Sequence, residues 1–134
     1  KKYQNGAVYG SAWDDSVGHR ATLPQYVSVN AAECTSVGQQ NCTSTRKLDT
    51  SALQTVQYGC KCNLVLSGGT ESWLHGGKSG STSHMLSSST VDLRTNPQLN
   101  TYIAGNKPLI KFQRYTNGDG LSYLYEGNHW HVGP

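Results

Sequence analysis

Toward its C-terminal end the chain reads Tyr125-Glu126-Gly127-Asn128-His129-Trp130-His131-Val132. Successive side chains of an extended strand point to opposite faces, so His129 and His131 should share one face and Trp130 and Val132 the other. A pair of imidazoles backed by an apolar face is suited to holding a metal ion over a packed core. Two histidines alone do not make a catalytic metal site, which needs three protein ligands and an open fourth position. The missing ligand types stand upstream, in Ser83-His84 and in Val91-Asp92-Leu93. Zinc takes imidazole nitrogen and carboxylate oxygen together, so this set of residues points to metal-assisted chemistry.

Several elements must position these side chains. Leu48, Ala52, Leu53 and Val56 fall at helical spacing, which predicts a helix over roughly residues 47 to 58 that Gly59 stops. The apolar run from Cys62 to Ser67, ending at Gly68-Gly69, predicts a buried strand and a tight turn. Asn96 caps a second, shorter helix with Pro97 in its first turn, an apolar face of Leu99, Tyr102 and Ile103, and Gly105 at its end. From Leu109 to Val132 an antiparallel meander is expected. Its strands are 109 to 115, then 121 to 125 after the turn Asn117-Gly118-Asp119-Gly120, then the His-x-His strand. Residues 1 to 33 read as irregular, with one or two short strands such as Ala7-Val8-Tyr9 and Tyr26-Val27-Ser28-Val29. Together these predict one α+β domain over residues 1 to 134, a small antiparallel β-sheet with helices packed on one face.

The stretch from Thr70 to Ser89 is almost entirely Gly, Ser, Thr and His, with Glu71, Trp73 and His75 embedded. A segment this long without regular structure in a compact domain is either disordered or functional, and His84 within it favours function. Glu71 and His75 could orient a histidine ligand or sit on the rim of a site. A solvated loop is the simpler account of both.

Composition bounds the partners. Charged residues make up only 14% of the 134 residues, and the net charge of +3 is thinly spread, so no basic run argues for nucleic acid. No apolar stretch reaches membrane-spanning length, and a monomer is expected. The mild positive charge would suit an anionic polymer such as a cell wall. Cys34, Cys42, Cys60 and Cys62 lack the Cys-x2-Cys spacing of structural zinc sites, so two disulfides and a secreted, extracellular location are expected. Spacing leaves the pairing open; a Cys34–Cys42 loop is favoured, with Cys60 or Cys62 tied elsewhere.

The two metal-type motifs resemble those of a family of zinc peptidases. It includes the D-alanyl-D-alanine carboxypeptidases, the penicillin-insensitive murein endopeptidases and phage L-alanyl-D-glutamate peptidases, and the amino-terminal signalling domain of hedgehog proteins shares its fold. The resemblance rests on Ser81-Thr82-Ser83-His84 with Thr90-Val91-Asp92-Leu93-Arg94, and on Glu126 with His131. More loosely it extends over residues 34 to 134. It implies a hedgehog/DD-peptidase-like fold, with zinc held by His84, Asp92 and His131. It implies Glu126 as general base and His129 as the group that stabilises the oxyanion. The implied substrate is a peptidoglycan stem or crosslink peptide.

Three departures stand out. Asp92 follows His84 by eight positions where the family has seven, so a bulge or an extra loop residue is required. Ser87-Ser88-Ser89 replaces the usual Gly of that interval. No Arg occupies Ser67-Gly68-Gly69-Thr70-Glu71 to hold a substrate carboxylate, which leaves Lys78 or Arg94 as substitutes and the substrate-binding residue unassigned. Two rivals to a peptidase follow. One is a hedgehog-like binding or signalling module that keeps zinc without hydrolysis, and the other is a metal-dependent nuclease, which the thin basic charge disfavours.

Overall fold

The computed structural model describes residues 23–34, 38–75, 83–85 and 87–134. The expected Ala7-Val8-Tyr9 strand, and Lys78, Ser81 and Thr82, lie outside these residues. Among these described residues nine elements follow one another. They are β1 (Val27–Val29), α1 (Ser51–Cys60), β2 (Leu64–Gly68), a single 3-10 turn (Ser72–Leu74), β3 (Val91–Arg94), α2 (Pro97–Ala104), β4 (Arg114–Tyr115), β5 (Ser122–Tyr125) and β6 (His129–Gly133). The fold is α+β, with six strands in the order β1-β2-β3-β6-β5-β4. The sheet is not wholly antiparallel as expected: β1 runs parallel to β2, because the crossover through α1 returns the chain in the same direction. All the other pairings are antiparallel.

Both helices pack on one face of this sheet. Leu53 and Val56 of α1 and Leu99 and Ile103 of α2 join Leu64, Leu66, Val91, Leu93, Tyr123, Trp130 and Val132 in one buried cluster. Trp130 is fully buried, donates its indole N–H to Asn100 Oδ1 at 2.9 Å, and lies edge-on to Tyr115. Thus the apolar side of β6 is locked against α2, and the histidine side is turned away from the core.

Helix α1 starts four residues later than the spacing suggested. Lys47 has φ +51, outside the right-handed helical region, and Leu48 closes a turn onto Thr45 instead. It also runs past Gly59 to Cys60. The helix ends where Lys61 adopts φ 54 and its N–H reaches Gln57 O. Gly59 serves close packing rather than termination, since a Cβ there would sit 2.6–2.7 Å from ring carbons of Tyr102. Helix α2 matches its prediction: Asn96 Oδ1 accepts from Leu99 N at 2.8 Å, with Pro97 in the first turn. The strand expected over 109 to 115 shortens to Arg114–Tyr115. Phe112 at φ +68 breaks the extended run, and the Tyr115 hydroxyl ties back to Pro108 O at 2.6 Å.

Cys34 pairs with Cys42, as favoured. Cys60 and Cys62 pair with each other rather than elsewhere, across the turn that follows α1. Both bridges are compatible with an extracellular protein. No helix among the described residues is long and apolar enough to cross a membrane.

Candidate metal centre

Strand β6 carries out the alternation read from its sequence. Trp130 and Val132 are fully buried, whereas His129 and His131 keep about a quarter of their side chains exposed on the opposite face. The register of β3 on β6 then assembles the site: Asp92 stands opposite His131, and Arg94 opposite His129. Residues 92 and 94 share a face by the same alternation. The result is a two-by-two block of polar side chains on the side of the sheet away from the helices.

Room for the Asp92 carboxylate is made on the next strand. Gly68 is the register partner of Asp92, and a Cβ there would stand 2.7 Å from Asp92 Oδ2. Pairing slips at this point, because Leu66 opposes Leu93 while Gly68 opposes Asp92, leaving Ser67 as an extra residue on β2. Among the described residues, then, the bulge falls on β2, across from Asp92. Between His84 and Asp92, Ser87 takes φ +66 and the Ser88 hydroxyl donates to Ser83 O.

His84 enters from the loop and is 1% exposed. Its Nδ1 lies 2.7 Å from Gly69 O, which can only accept, so this nitrogen carries a proton, and in the neutral ring Nε2 presents its lone pair inward. Three donor atoms converge there. His84 Nε2 is 3.3 Å from His131 Nδ1, His131 Nδ1 is 3.0 Å from Asp92 Oδ1, and His84 Nε2 is 3.5 Å from Asp92 Oδ1. Ligands about 2.0–2.1 Å from a tetrahedral ion are separated by roughly 3.3 Å, so the spacing fits a small four-coordinate metal. Two imidazoles and one carboxylate also fit zinc by donor type.

The charges in the cluster support one another. Burial alone would push the Asp92 carboxyl up, but hydrogen bonds from His131 and His84 and the nearby imidazoles hold it well below the usual carboxylate range. Burial pushes His84 down, yet its hydrogen bond to Asp92, the Asp92 charge and the Gly69 carbonyl outweigh this and raise it.

Beside this triad, His129 Nε2 is 2.7 Å from Glu126 Oε2 and 3.8 Å from Asp92 Oδ2. His129 Nδ1 is 2.7 Å from Asn128 Oδ1. The residues that the motifs singled out, namely His84, Asp92, His131, Glu126 and His129, therefore lie together, and all five line one open cleft of about 620 Å³. Arg94 and Ser67 line it too.

The simpler account of Glu71 and His75 as a solvated loop is wrong. Glu71 is 1% exposed and accepts from Ser44 N at 2.9 Å and from Gly69 N at 2.7 Å. His75 lines the cleft, stacks on His84 with ring centroids 3.9 Å apart, and sits with Nε2 3.2 Å from Glu71 Oε2. The four-residue separation of Glu71 and His75 across the 3-10 turn was visible in the sequence; the backbone donors that bury Glu71 were not. Groupings such as Glu71, His75 and His84, or Asp92, Glu126 and His129, are also close enough to hold an ion.

Comparison with protein-family models, with curated proteins and with solved structures returns no match to this chain.

Proposed function

We propose that this protein is a secreted zinc metallopeptidase that hydrolyses a peptide bond in peptidoglycan stem or crosslink peptides, on a hedgehog/DD-peptidase-like fold. The observation that carries the proposal is the convergence of His84 Nε2, Asp92 Oδ1 and His131 Nδ1 at 3.0–3.5 Å, beside a Glu126–His129 pair, on the wall of an open cleft. The substrate class comes from the motif resemblance.

His84, Asp92 and His131 would hold the zinc, which when bound lowers the pKa of a water toward 7 and polarises the scissile carbonyl. Glu126 keeps about a third of its side chain exposed toward the cleft, which suits a base that takes a proton from water and returns it to the departing amine. His129 faces the same cleft and can donate from Nε2 to an oxygen that gains negative charge. In this structure Nε2 is turned to Glu126 Oε2 at 2.7 Å, so that pair opens before the Nε2 proton reaches the substrate oxygen. Arg94, the one Lys or Arg side chain lining the cleft among the described residues, offers a guanidinium to a peptide carboxylate.

Elemental mass spectrometry of the purified protein beside His131→Ala, followed by peptidoglycan digestion with and without chelator, tests the proposal. About one zinc per chain, lost with His131 and accompanied by chelator-sensitive release of stem peptides, is the expected result. Zinc without cleavage would favour the binding-module reading. Absence of zinc from the wild type would end the metal reading.

A further inference from the structure

Asp92 does not present its two oxygens equally. Oδ1 faces His131 Nδ1 at 3.0 Å and His84 Nε2 at 3.5 Å, the proposed ligands. Oδ2 points the other way, 3.7 Å from His75 Nδ1 and 3.8 Å from His129 Nε2. A free carboxylate can grip a divalent ion through one oxygen or through both, and what decides between the two is whether the second oxygen has another partner.

His75 is built to be that partner. Its ring is held on two sides, Nε2 against the buried Glu71 carboxylate at 3.2 Å and its face stacked on His84 at 3.9 Å and 18°, which turns Nδ1 toward Asp92 Oδ2 at 3.7 Å. Glu71 is itself fixed by backbone N–H donors from Ser44 and Gly69. The same Gly69 accepts from His84 Nδ1 through its carbonyl. A braced line therefore runs from the backbone through Glu71 to His75, which stands at ion-pair distance, 3.7 Å, from the outer oxygen of Asp92. Gly68 leaves the room in which that oxygen sits, since a Cβ there would lie 2.7 Å from it.

We infer that His75, braced by Glu71, is a positioning residue that restricts Asp92 to one oxygen at the metal and so keeps the fourth coordination position open for water. The inference rests on the metal reading above and adds a residue outside both motifs. The other nitrogen near Oδ2, His129 Nε2, is already engaged by Glu126 Oε2 at 2.7 Å, so removing the His75 nitrogen lets the carboxylate turn and bind through both oxygens, raising the coordination number from four to five.

The test is visible spectroscopy of the cobalt(II)-loaded protein, with metal counted per chain, for wild type, His75→Phe, His75→Ala and His75→Gln. His75→Phe keeps a ring against His84 and removes the nitrogen; His75→Ala serves if the larger ring disturbs folding; His75→Gln restores an N–H donor. The expected result is an intense four-coordinate spectrum for wild type and His75→Gln, with a clearly weaker five-coordinate spectrum for His75→Phe and His75→Ala at unchanged metal stoichiometry. A wild-type spectrum in both donorless variants would overturn the inference while leaving the metal site standing. Loss of metal from folded His75→Phe or His75→Ala would also overturn it, by making His75 a ligand. A wild type that binds no cobalt or zinc removes the metal reading itself, a failure that the stoichiometry separates from the other two.

Discussion

Asp92 and His131 are direct register partners on adjacent antiparallel strands, and their side chains meet at 3.0 Å between Oδ1 and Nδ1 on the face turned away from the helices. Two of the three proposed ligands are a cross-strand pair held by the sheet ladder itself, leaving only His84 to be delivered by a loop. Replacing either strand ligand should therefore abolish tight binding without unfolding the sheet. His131→Ala or Asp92→Ala should weaken zinc by more than the ~10–100-fold that loss of an outer-shell partner costs. Competition against a chromogenic chelator, with circular dichroism to show that the fold persists, checks this.

Glu126 lies outside the convergent triad, 2.7 Å from His129. Glu126→Gln should keep the metal and lose hydrolysis by about 10²–10⁴-fold, the usual contribution of a positioned general base. Peptide release from peptidoglycan, measured beside zinc content, reads the two effects separately. Equal activity in wild type and variant would exclude Glu126 as the base.

The metal-free protein should show a defined pH window. His84 is raised above its ordinary 6.5, so its contribution to stability is fully present below about pH 6.5 and is lost as pH rises through the raised value. Asp92 is held below its ordinary 3.8, so its contribution is present above about pH 3.8 and is lost as pH falls through the lowered value. Chelator-treated protein should thus melt highest between about pH 4 and 6.5. Zinc must displace the proton from His84, so metal affinity should rise with pH across the neutral range. The melting temperature gained on adding zinc should grow in the same direction, which a series of thermal melts would show.

Gly69 has a structural duty that a small side chain should expose. A Cβ there would collide with the Ser44 backbone carbonyl, which cannot swing aside as a flexible side chain would. Its own carbonyl also fixes His84 Nδ1, and its N–H anchors Glu71. Gly69→Ala should destabilise the fold by about 1–3 kcal/mol as an overpacked site. It should weaken zinc as well, because the backbone that aims His84 must shift. Urea unfolding of the metal-free protein and a zinc titration together separate the two effects.

Local chemistry was enough to read much of the site in the sequence. Period-two alternation in His129-Trp130-His131-Val132 assigned imidazoles and core to opposite faces, and Asn96-Pro97 announced the start of α2 through capping; both are interactions within a few residues. His84, Asp92, His129 and His131 stand out by residue type and strand alternation, Glu126 only through the motif resemblance, and all five line the cleft. What the tertiary structure alone decided depends on contacts across the chain. Glu71 looks like an ordinary loop carboxylate until Ser44, 27 positions upstream, gives it a backbone donor and a buried place. His75 becomes part of the centre only because that carboxylate and the His84 ring flank it. The parallel pairing of β1 with β2, the extra residue at Ser67 and the closing of Cys60 onto Cys62 follow from where the backbone is carried after α1, and no local pattern encodes that path. Periodicity and capping are local, so the sequence determined which face of each strand is polar; pairing and burial are not, so only the folded chain decided which of those faces meet around one point.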